Sequence, residues 1–351
     1  MGISRKTIYS LVIIMFMNII WCICDHGYSE YDGECYYDED LNFLTLLIYL
    51  NEIEFELYYD IGLTIWQNGR INTLMLEGLA IHEVPDNIQN LDSLFTLSFS
   101  DNELEFLPVN IGNLPSLNTL FLSNNQLIEL PETIGNLSNL EFLHLSGNQL
   151  AALPSTISTL FSLVSLNIDN NLVTAFPEGI MELHTLRYVY MANNTIQELP
   201  STIGTLSALQ ILSAYTNNIS QIPSSIGDLG NLYYLDFANN ELTGLPETIC
   251  DIYENLTVFN IGLNDICPPY PECLTEADIG EQNTSECSEC PDNIEGDVTF
   301  DGQVNILDVV LLVNCILLRE CDGNGDCFDI NYDDTINILD VVFIINIILE
   351  N

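Results

Sequence analysis

The chain has 351 residues, enough for two or three domains, and carries 51 acidic residues against 5 basic ones. Such a polyanion does not bind nucleic acid or anionic lipid through charge, which excludes both as partners. The balance suits a cation-rich exterior and divalent metal ions, and it also favours simple solubility and salt tolerance.

The first 24 residues have the layout of a secretory signal peptide. A basic pair at 5–6 precedes an apolar run that ends at Trp21, and Cys22 and Cys24 follow as a small-x-small pair. We expect cleavage just after Cys24; a lipoprotein and an uncleaved signal anchor are the alternatives. The later apolar stretch 341–349 is too short to cross a bilayer, so no transmembrane span is expected in the mature chain.

Residues 25–67 are predicted to form an N-terminal cap for the segment that follows. The apolar sequence beginning at Asp40 predicts a cap helix, and Trp66 followed by Gly69 to Ile71 predicts a first strand. A cap of this kind is needed because the end of a stacked array otherwise exposes apolar surface.

From 68 to 266 the chain repeats itself about every 23 residues. A degenerate copy opens at Asn68, and a final copy at Ile252 carries a one-residue insertion. A fixed period of this size predicts a solenoid, because one unit cannot bury its apolar face alone. The intervening copies start at Leu91, Leu114, Leu137, Leu160, Leu183, Leu206 and Leu229.

Each copy contains the pattern LxxLxLxxN, in which alternate leucines of a short strand point into the core. The amide at its end has both a donor and an acceptor, so we expect it to satisfy backbone groups of adjacent coils. It recurs at Asn102, Asn125, Asn148, Asn171, Asn194, Asn217, Asn240 and Asn264. Prolines mark the convex turn at Pro85, Pro108, Pro131, Pro154, Pro177, Pro200, Pro223 and Pro246.

These residues resemble the leucine-rich repeat family. The resemblance implies an α/β solenoid in the form of a curved horseshoe, with strands on the concave side and protein binding as the usual role. A band of tyrosines crosses the predicted concave strands, and tyrosine is favoured at recognition surfaces. The predicted ligand-binding residues, for a protein or a glycan, are Phe121, Phe142, His144, Tyr188, Tyr190, Tyr215, Tyr234 and Asp236, with Asn167 among them.

Residues 267–292 are predicted to form a cysteine-containing C-terminal cap and linker, with Cys250 joining the cap. In an exported protein the cysteines predict disulfides. Nine remain after the expected cleavage, an odd number that leaves one free or intermolecular, and Cys35 stands apart from the others. Cys287 and Cys290 form a CxxC, but no second CxxC or His pair follows, so zinc is disfavoured. The remaining cysteines are Cys267, Cys273, Cys315, Cys321 and Cys327.

Two acidic loops followed by short apolar helices lie in 293–351. Oxygen ligands at loop positions 1, 3, 5 and 12, with a carbonyl at 7 and a water-bridging residue at 9, wrap Ca²⁺ in the manner of an EF-hand. The first loop offers Asp297, Thr299, Asp301, the carbonyl of Gln303, Asn305 and Asp308. The second offers Asp329, Asn331, Asp333, the carbonyl of Thr335, Asn337 and Asp340.

This tandem resembles a dockerin, and the resemblance implies a small all-α domain, two Ca²⁺ sites, calcium-dependent folding and docking onto a cohesin. Thr299 and Asp334 depart from the usual Asp or Asn and Gly of such loops. At loop positions 10 and 11 some dockerins use small hydroxyl residues for cohesin recognition, and this chain has large apolar ones. The predicted partner-docking residues are therefore Ile306, Leu307, Ile338 and Leu339, with cohesin specificity left open.

Together these features predict an exported, non-catalytic interaction protein, secreted or at the surface of a bacterial cell. No histidine pairs with a nucleophile in a recognisable motif. The alternatives are a component of a polysaccharide-degrading complex and an adhesin or receptor whose calcium module is only structural. A hydrolase would need two carboxylates across a cleft, and the concave acids lie in no evident cleft.

Overall fold

The computed structural model describes residues 24–54, 61–284, 296–299, 303–318, 330 and 335–350. The predicted signal segment up to residue 23 lies outside the described residues, as do Asp301, Asp329, Asn331 and Asp333 of the predicted calcium loops. Among the helices that are described, none combines the length and the apolar character needed to span a bilayer.

The N-terminal cap contains a hairpin and a helix. Strands β1 (Tyr28–Tyr31) and β2 (Glu34–Tyr37) pair antiparallel, and helix α1 (Asp38–Leu50) follows directly. The cap helix is thus confirmed, whereas sequence reasoning missed the hairpin. Cys24 forms a disulfide with Cys35, so Cys35 does not stand apart as expected. Of the eleven cysteines only Cys22 precedes Cys24, so ten lie from Cys24 onward. Because Cys24 is paired with Cys35, the expected odd number of cysteines in the mature chain is wrong.

An ion pair ties this cap to the first coil. The Arg70 guanidinium donates from Nε and Nη2 to the buried Asp40 carboxylate, at 3.1 Å in each case, and also donates to the carbonyl of Asn90. The backbone N–H of Ile71 donates to Asp40 at 2.7 Å, and the guanidinium lies 4.1 Å from the ring centre of Tyr37. Burial raises the pKa of Asp40, while the bonds from Arg70 and Ile71 oppose that rise.

The repeats form one sheet of ten strands in chain order. β3 (Leu63–Gln67) pairs antiparallel with β4 (Arg70–Met75), and every later pairing is parallel. Each coil aligns with the next without a shift, as in Leu97 beside Leu120. The later strands are β5 (Thr96–Ser98), β6 (Thr119–Phe121), β7 (Phe142–His144), β8 (Ser165–Asn167), β9 (Tyr188–Tyr190), β10 (Ile211–Ser213), β11 (Tyr234–Asp236) and β12 (Val258–Asn260).

The convex side consists of 3-10 helices of three to five residues, and each follows a recurring proline. The proline favours the extended backbone that precedes the helix. Its carbonyl accepts a hydrogen bond from the N–H three residues later, as from Ile88 to Pro85 at 3.1 Å. These helices are Asp86–Asn90, Val109–Asn113, Glu132–Asn136, Ser155–Thr159, Glu178–Glu182, Ile203–Thr205, Ser224–Asp228 and Glu247–Ile249.

Buried asparagines join the coils, as the sequence predicted. The amide of Asn125 donates to Leu122 of its own coil at 3.1 Å and to Phe99 of the coil before at 2.8 Å. Its oxygen accepts from Leu104 at 3.0 Å. The same three contacts recur from Asn102 to Asn264, so one side chain per coil satisfies backbone groups of two coils.

A second ladder of hydrogen bonds runs along the back of the solenoid, and the sequence did not reveal it. Hydroxyl groups donate to a carbonyl 24 residues earlier, as in Thr133 to Val109 at 2.6 Å and Ser162 to Ser138 at 2.7 Å. Residues of different type share this role, which is why no repeating letter marks it.

The C-terminal end is closed by helix α2 (Cys250–Tyr253), helix α3 (Glu276–Ile279) and the segment after it. A disulfide joins Cys250 to Cys273, which confirms a disulfide in the predicted cap, and Cys267 is also disulfide-bonded. Gln282 pairs with the last ladder residue in a β-bridge, and its side chain donates to the carbonyl of Ile261 at 2.9 Å. The last coil therefore has its backbone groups covered.

Helices α4 (Ile306–Leu318) and α5 (Ile338–Glu350) pack on each other to form the separate C-terminal module. Their buried faces share a small core with Val298 and Ile330, and Cys315 within it is disulfide-bonded. Each helix begins two residues before the last ligand of the predicted calcium loop, at Ile306 before Asp308 and at Ile338 before Asp340.

Arg70→Met should lower the free energy of unfolding by about 3–5 kcal/mol, because it leaves the buried Asp40 carboxylate without its charge partner. Chemical denaturation of the full chain measures this. Asp92→Asn is the matched control: Asp92 is exposed and 4.0 Å from Arg70, so its loss should cost less than about 1 kcal/mol. A loss for Arg70→Met as small as that of the control would contradict a structural role for the pair.

Candidate functional site

The concave face of the solenoid carries the aromatic residues that the sequence predicted. The register places Phe142, Ser165 and Tyr188 in one row of adjacent strands, and the row continues through Ile211 to Tyr234. A parallel row contains the second outward position of each strand: His144, Asn167, Tyr190, Ser213 and Asp236. Phe121 lies at the head of this second row, beside His144, and Tyr215 follows β10 by two residues.

Tyrosines from three successive coils lie close together in these rows. Burial raises the pKa of the Tyr190 hydroxyl, and the neighbouring Tyr233, Tyr188 and Asp169 raise it further. Burial likewise raises the pKa of Tyr234, with Asp236, Tyr215 and Tyr190 adding to it. The strand register places Tyr188 and Tyr190 two strands from Tyr234 on the same face of the sheet.

Two carboxylates border this tyrosine group. Asp236 accepts from the N–H of Ala238 at 3.1 Å, and its other oxygen lies 3.4 Å from the Tyr234 hydroxyl. Asp169, which the predicted site omitted, accepts from the N–H of Ala192 at 2.6 Å. Tyr215 occupies the same position of the repeat two periods later in the chain. This spacing is the sequence signal that assigns Asp169 to the ligand-binding face with Tyr215.

The surroundings of Asp169 weaken its acidity. Burial raises the pKa of this carboxyl from 3.8 to about 6, although the bonds from Ala192 and Asn167 oppose the rise. The site thus holds a carboxyl that is ionised at neutral pH at a free-energy cost, because the protein shields it from water.

His144 lies at the other end of the concave rows and serves the packing of the sheet. Its ring stacks 4.9 Å from that of Phe121, and Nε2 lies 3.2 Å from the Ser165 hydroxyl. Burial lowers the pKa of His144. The Ser165 hydroxyl is almost inaccessible, and within the described residues no carboxylate bonds the imidazole.

The described half of the first calcium loop brings its predicted ligands together. Thr299 donates to Asp308 Oδ1 from both its N–H and its hydroxyl, each at 2.8 Å, and the hydroxyl lies 3.4 Å from Asp297 Oδ1. Asp297 and Asp308 are both buried. Thr299 therefore occupies the expected place between the first and last ligands, despite its departure from the usual residue type.

The start of α4 is a capping box. The N–H of Asn305 donates to Asp308 Oδ2 at 2.7 Å, and the Asn305 side chain accepts from Leu307 at 2.8 Å. The second loop repeats this geometry around α5, with the N–H of Asn337 donating to Asp340 at 2.7 Å. The sequence assigned these asparagines a water-bridging role, and the structure shows them as helix caps.

The donor set fits calcium, because the predicted ligands are carboxylates, a hydroxyl and carbonyls. The carbonyls of Gln303 and Thr335 accept from the side chains of Asn305 and Asn337 at 3.2 and 2.8 Å. Within the described parts of the chain, no cluster of three His, Cys, Asp or Glu groups is assembled. The other predicted acidic ligands, Asp301, Asp329 and Asp333, lie outside the described residues.

Each helix of the module also presents an apolar face to solvent. The four predicted docking residues are all exposed, from 56% for Leu339 to 65% for Ile306. The face continues one turn further through Val310 and Val342, which are about half exposed. The two helices repeat this pattern at equivalent positions, 32 residues apart.

Asp169→Asn should change how stability depends on pH. The folded chain binds the Asp169 proton more tightly than the unfolded chain, so wild-type stability falls between pH 4 and 6 and stays lower above. Asparagine keeps the acceptor for Ala192 and cannot ionise. We expect the variant to be more stable by about 1–2 kcal/mol at pH 7.5 and equal near pH 3.5, by chemical denaturation.

Glu103→Gln, an exposed acid on the same repeats, is the control and should leave the pH profile unchanged. Parallel profiles for wild type and Asp169→Asn would show that Asp169 is not the group responsible.

Comparison with known proteins supports this architecture. The family model described as a leucine-rich repeat region matches residues 109–185 and 177–261, and the one described as a dockerin type I domain matches 295–349. No curated protein matches the chain.

Several solved structures resemble the chain. The structure titled PEPR1-AtPEP1 is 26% identical with a TM-score of 0.58, covering 66% of this chain and 35% of that one. A TDR receptor is 29% identical with a TM-score of 0.55, covering 59% and 37%. The ectodomain of the receptor kinase GASSHO1/SCHENGEN3 from Arabidopsis thaliana is 27% identical with a TM-score of 0.49, covering 60% and 29%.

The chain thus spans between 29% and 37% of the length of these three chains. The two matches with the higher TM-scores agree with the parallel strands and repeated coils described above. The chain therefore combines a leucine-rich repeat region with a dockerin type I domain at its C-terminal end.

Proposed function

We propose that this chain is an exported, non-catalytic adaptor that holds a ligand on its repeats and fastens it to a cohesin-bearing assembly or cell surface. Its two modules support a protein-interaction role with a cohesin-docking element. The observation that carries the proposal is their combination in one chain: an open aromatic sheet face, and a small module whose two helices expose matching apolar residues.

Export is part of this proposal. The disulfide of Cys24 with Cys35 and the one between Cys250 and Cys273 favour an oxidising compartment. They agree with the signal-like sequence that precedes them. Since Cys24 belongs to the folded cap, removal of the signal would fall before it.

Calcium is proposed to bind at two sites in the C-terminal module. In the first loop, Asp297, Thr299 and Asp308 would hold the calcium ion. The side chains of Asp301 and Asn305 and the carbonyl of Gln303 would complete the ligand set. The second loop would use Asp340 and the carbonyl of Thr335, together with Asp329, Asn331, Asp333 and Asn337. When bound, the ion supplies positive charge that offsets the repulsion of the clustered carboxylates.

The exposed residues at the start of each helix are proposed to contact the cohesin. Ile306 and Leu307 on α4 correspond to Ile338 and Leu339 on α5, and all four lie next to the capping boxes. Order in the loops would therefore fix their positions, which links calcium to docking.

Calorimetric titration of the full chain should give two calcium sites. Asp308→Asn and Asp340→Asn should each remove one, and the double variant both, because position 12 supplies a bidentate ligand. At a hundredfold excess over Kd, calcium should stabilise the module by about 2.7 kcal/mol for each site occupied. Glu182→Gln, which removes an exposed acid from the repeats, should titrate like wild type. Absence of binding, or an unchanged double variant, would refute the calcium sites.

Docking can be tested by capture of the full chain on a panel of immobilised cohesins, with calcium or with chelator. Leu307→Asp combined with Leu339→Asp should abolish capture, since a charge there cannot enter an apolar interface. Leu317→Asp, at the exposed far end of α4, is the matched control and should be captured normally. Capture that persists in the double variant would exclude this surface.

A further inference from the structure

The convex side of the solenoid opens between the coil 160–182 and the coil 183–205. Elsewhere along the described repeats, the 3-10 helices of neighbouring coils pack closely on each other, whereas Glu178–Glu182 and Ile203–Thr205 do not pack in this way. A cleft of about 370 Å³ lies between the two coils just before these helices. The buried Phe176 and Leu199 and the exposed Ser201 are among the residues that line it.

The side chain of Met181 explains this opening. Four other coils have glycine at the same position of the repeat, and a Cβ there would collide with the backbone of the next coil, as Gly112 would with the carbonyl of Thr133. Met181 carries a Cβ, so the coil that follows it cannot approach as closely. The other three glycines are Gly135, Gly204 and Gly227.

Two further coils carry a side chain at this position, and each has a compensating residue in the next coil. Ser158 lies beside Gly179, which has no side chain to be displaced. Gln89 is followed by Asn110, whose long amide reaches back to the carbonyl of Asp86 at 3.0 Å. The 3-10 helices at both junctions therefore still pack on each other.

The coil after Met181 has no such compensation. In other coils a threonine at the position of Thr202 donates to a carbonyl 24 residues earlier, as Thr156 does at 2.6 Å. Within the described residues, the Thr202 hydroxyl has no acceptor. The 3-10 helix begins only at Ile203 and has three residues, against five in its neighbours. Pro177 has ψ 84°, against 142–151° at the six other prolines that directly precede a 3-10 helix.

The two coils nevertheless stay joined on both sides of this gap. Strands β8 and β9 keep their register, and the Asn194 amide donates to the carbonyl of Ile168 at 3.0 Å. The Thr185 hydroxyl donates to the carbonyl of Phe161 at 2.8 Å. The gap is thus limited to the segments around the 3-10 helices, and bending can occur there without breaking the sheet.

We propose that this junction is a hinge of the solenoid, at which the convex cleft opens and closes and the curvature of the concave face changes. Phe142 and His144 lie on the strands before the hinge, and Tyr190 and Tyr234 lie on the strands after it. Opening at the convex side brings these two groups closer together, and closing moves them apart. A hinge of this kind lets one face close around a ligand. The inference holds whichever ligand the concave face binds.

Met181→Gly tests the cause, and Met181→Ala is the matched control, because both remove the methionine side chain but only glycine removes the Cβ. In the wild-type full chain, amide hydrogen exchange should be about tenfold faster in 176–182 and 200–206 than in the equivalent segments 130–136 and 223–229. Met181→Gly should reduce this difference to about twofold or less, whereas Met181→Ala should keep it. Equal exchange in the wild-type segments would overturn the hinge, as would identical profiles for the two variants.

Distances across the hinge give a second measurement. Spin labels at the exposed Glu132 and Ser224 span four coils and cross the cleft, whereas labels at the exposed Asp86 and Glu178 span four coils on one side of it. The labels should be carried on unnatural amino acids, because the protein relies on disulfides.

Both label pairs should lie about 20 Å or more apart, since adjacent strands are separated by about 4.8 Å. Double electron–electron resonance should give a broader distance distribution for the pair that crosses the cleft, and Met181→Gly should narrow it. Distributions of equal width for the two pairs would show a solenoid of fixed curvature and overturn the hinge. That result would leave ligand binding by the concave face unaffected, so the two proposals fail separately.

Discussion

The hydrogen bonds of one buried asparagine per coil hold the solenoid together, and the remaining structure depends on them. Each amide joins its own coil to the one before, as Asn125 does with Leu122 and Phe99. The bend that presents these amides requires a left-handed residue just before the asparagine, at φ 56° in Asn124 and 69° in Gly147. Because this bend repeats without error, the strands stay in register and the concave rows exist.

The rows in turn determine what the concave face can do. A single coil offers two outward positions on its strand, too few for a binding surface. Stacking in register places Tyr188 and Tyr234 two strands apart and leaves Ser213 between larger neighbours. Affinity for a ligand is thus a property of several coils together, although each coil is built from the same local pattern.

Most of the fold followed from the sequence because its signals are local and repeated. Leucine spacing, ladder asparagines and convex prolines recur at one period, and each has one structural meaning. The Asp40–Arg70 pair and the Cys24–Cys35 disulfide were not foreseen, because each depends on a contact between residues that are distant in the sequence. Asp169 was expected on the concave face but was left out of the predicted ligand site, because its shielding from water does not follow from its residue type. In the calcium module the loop ligands were readable by position, whereas the capping role of Asn305 became visible only with the helix start.

The hydroxyl ladder on the back of the solenoid has a consequence for the length of the molecule. Its bonds, like those of the asparagines, reach only one coil away, as from Thr133 to Val109. A whole coil can therefore be inserted or deleted, because the coils that become neighbours form the same hydrogen bonds. The inserted or deleted unit must have the full period. The distance from the N-terminal cap to the concave tyrosines would change in steps of about 5 Å, the distance between strands. The number of coils would thus set the distance between the N-terminal cap and a ligand held on the concave face.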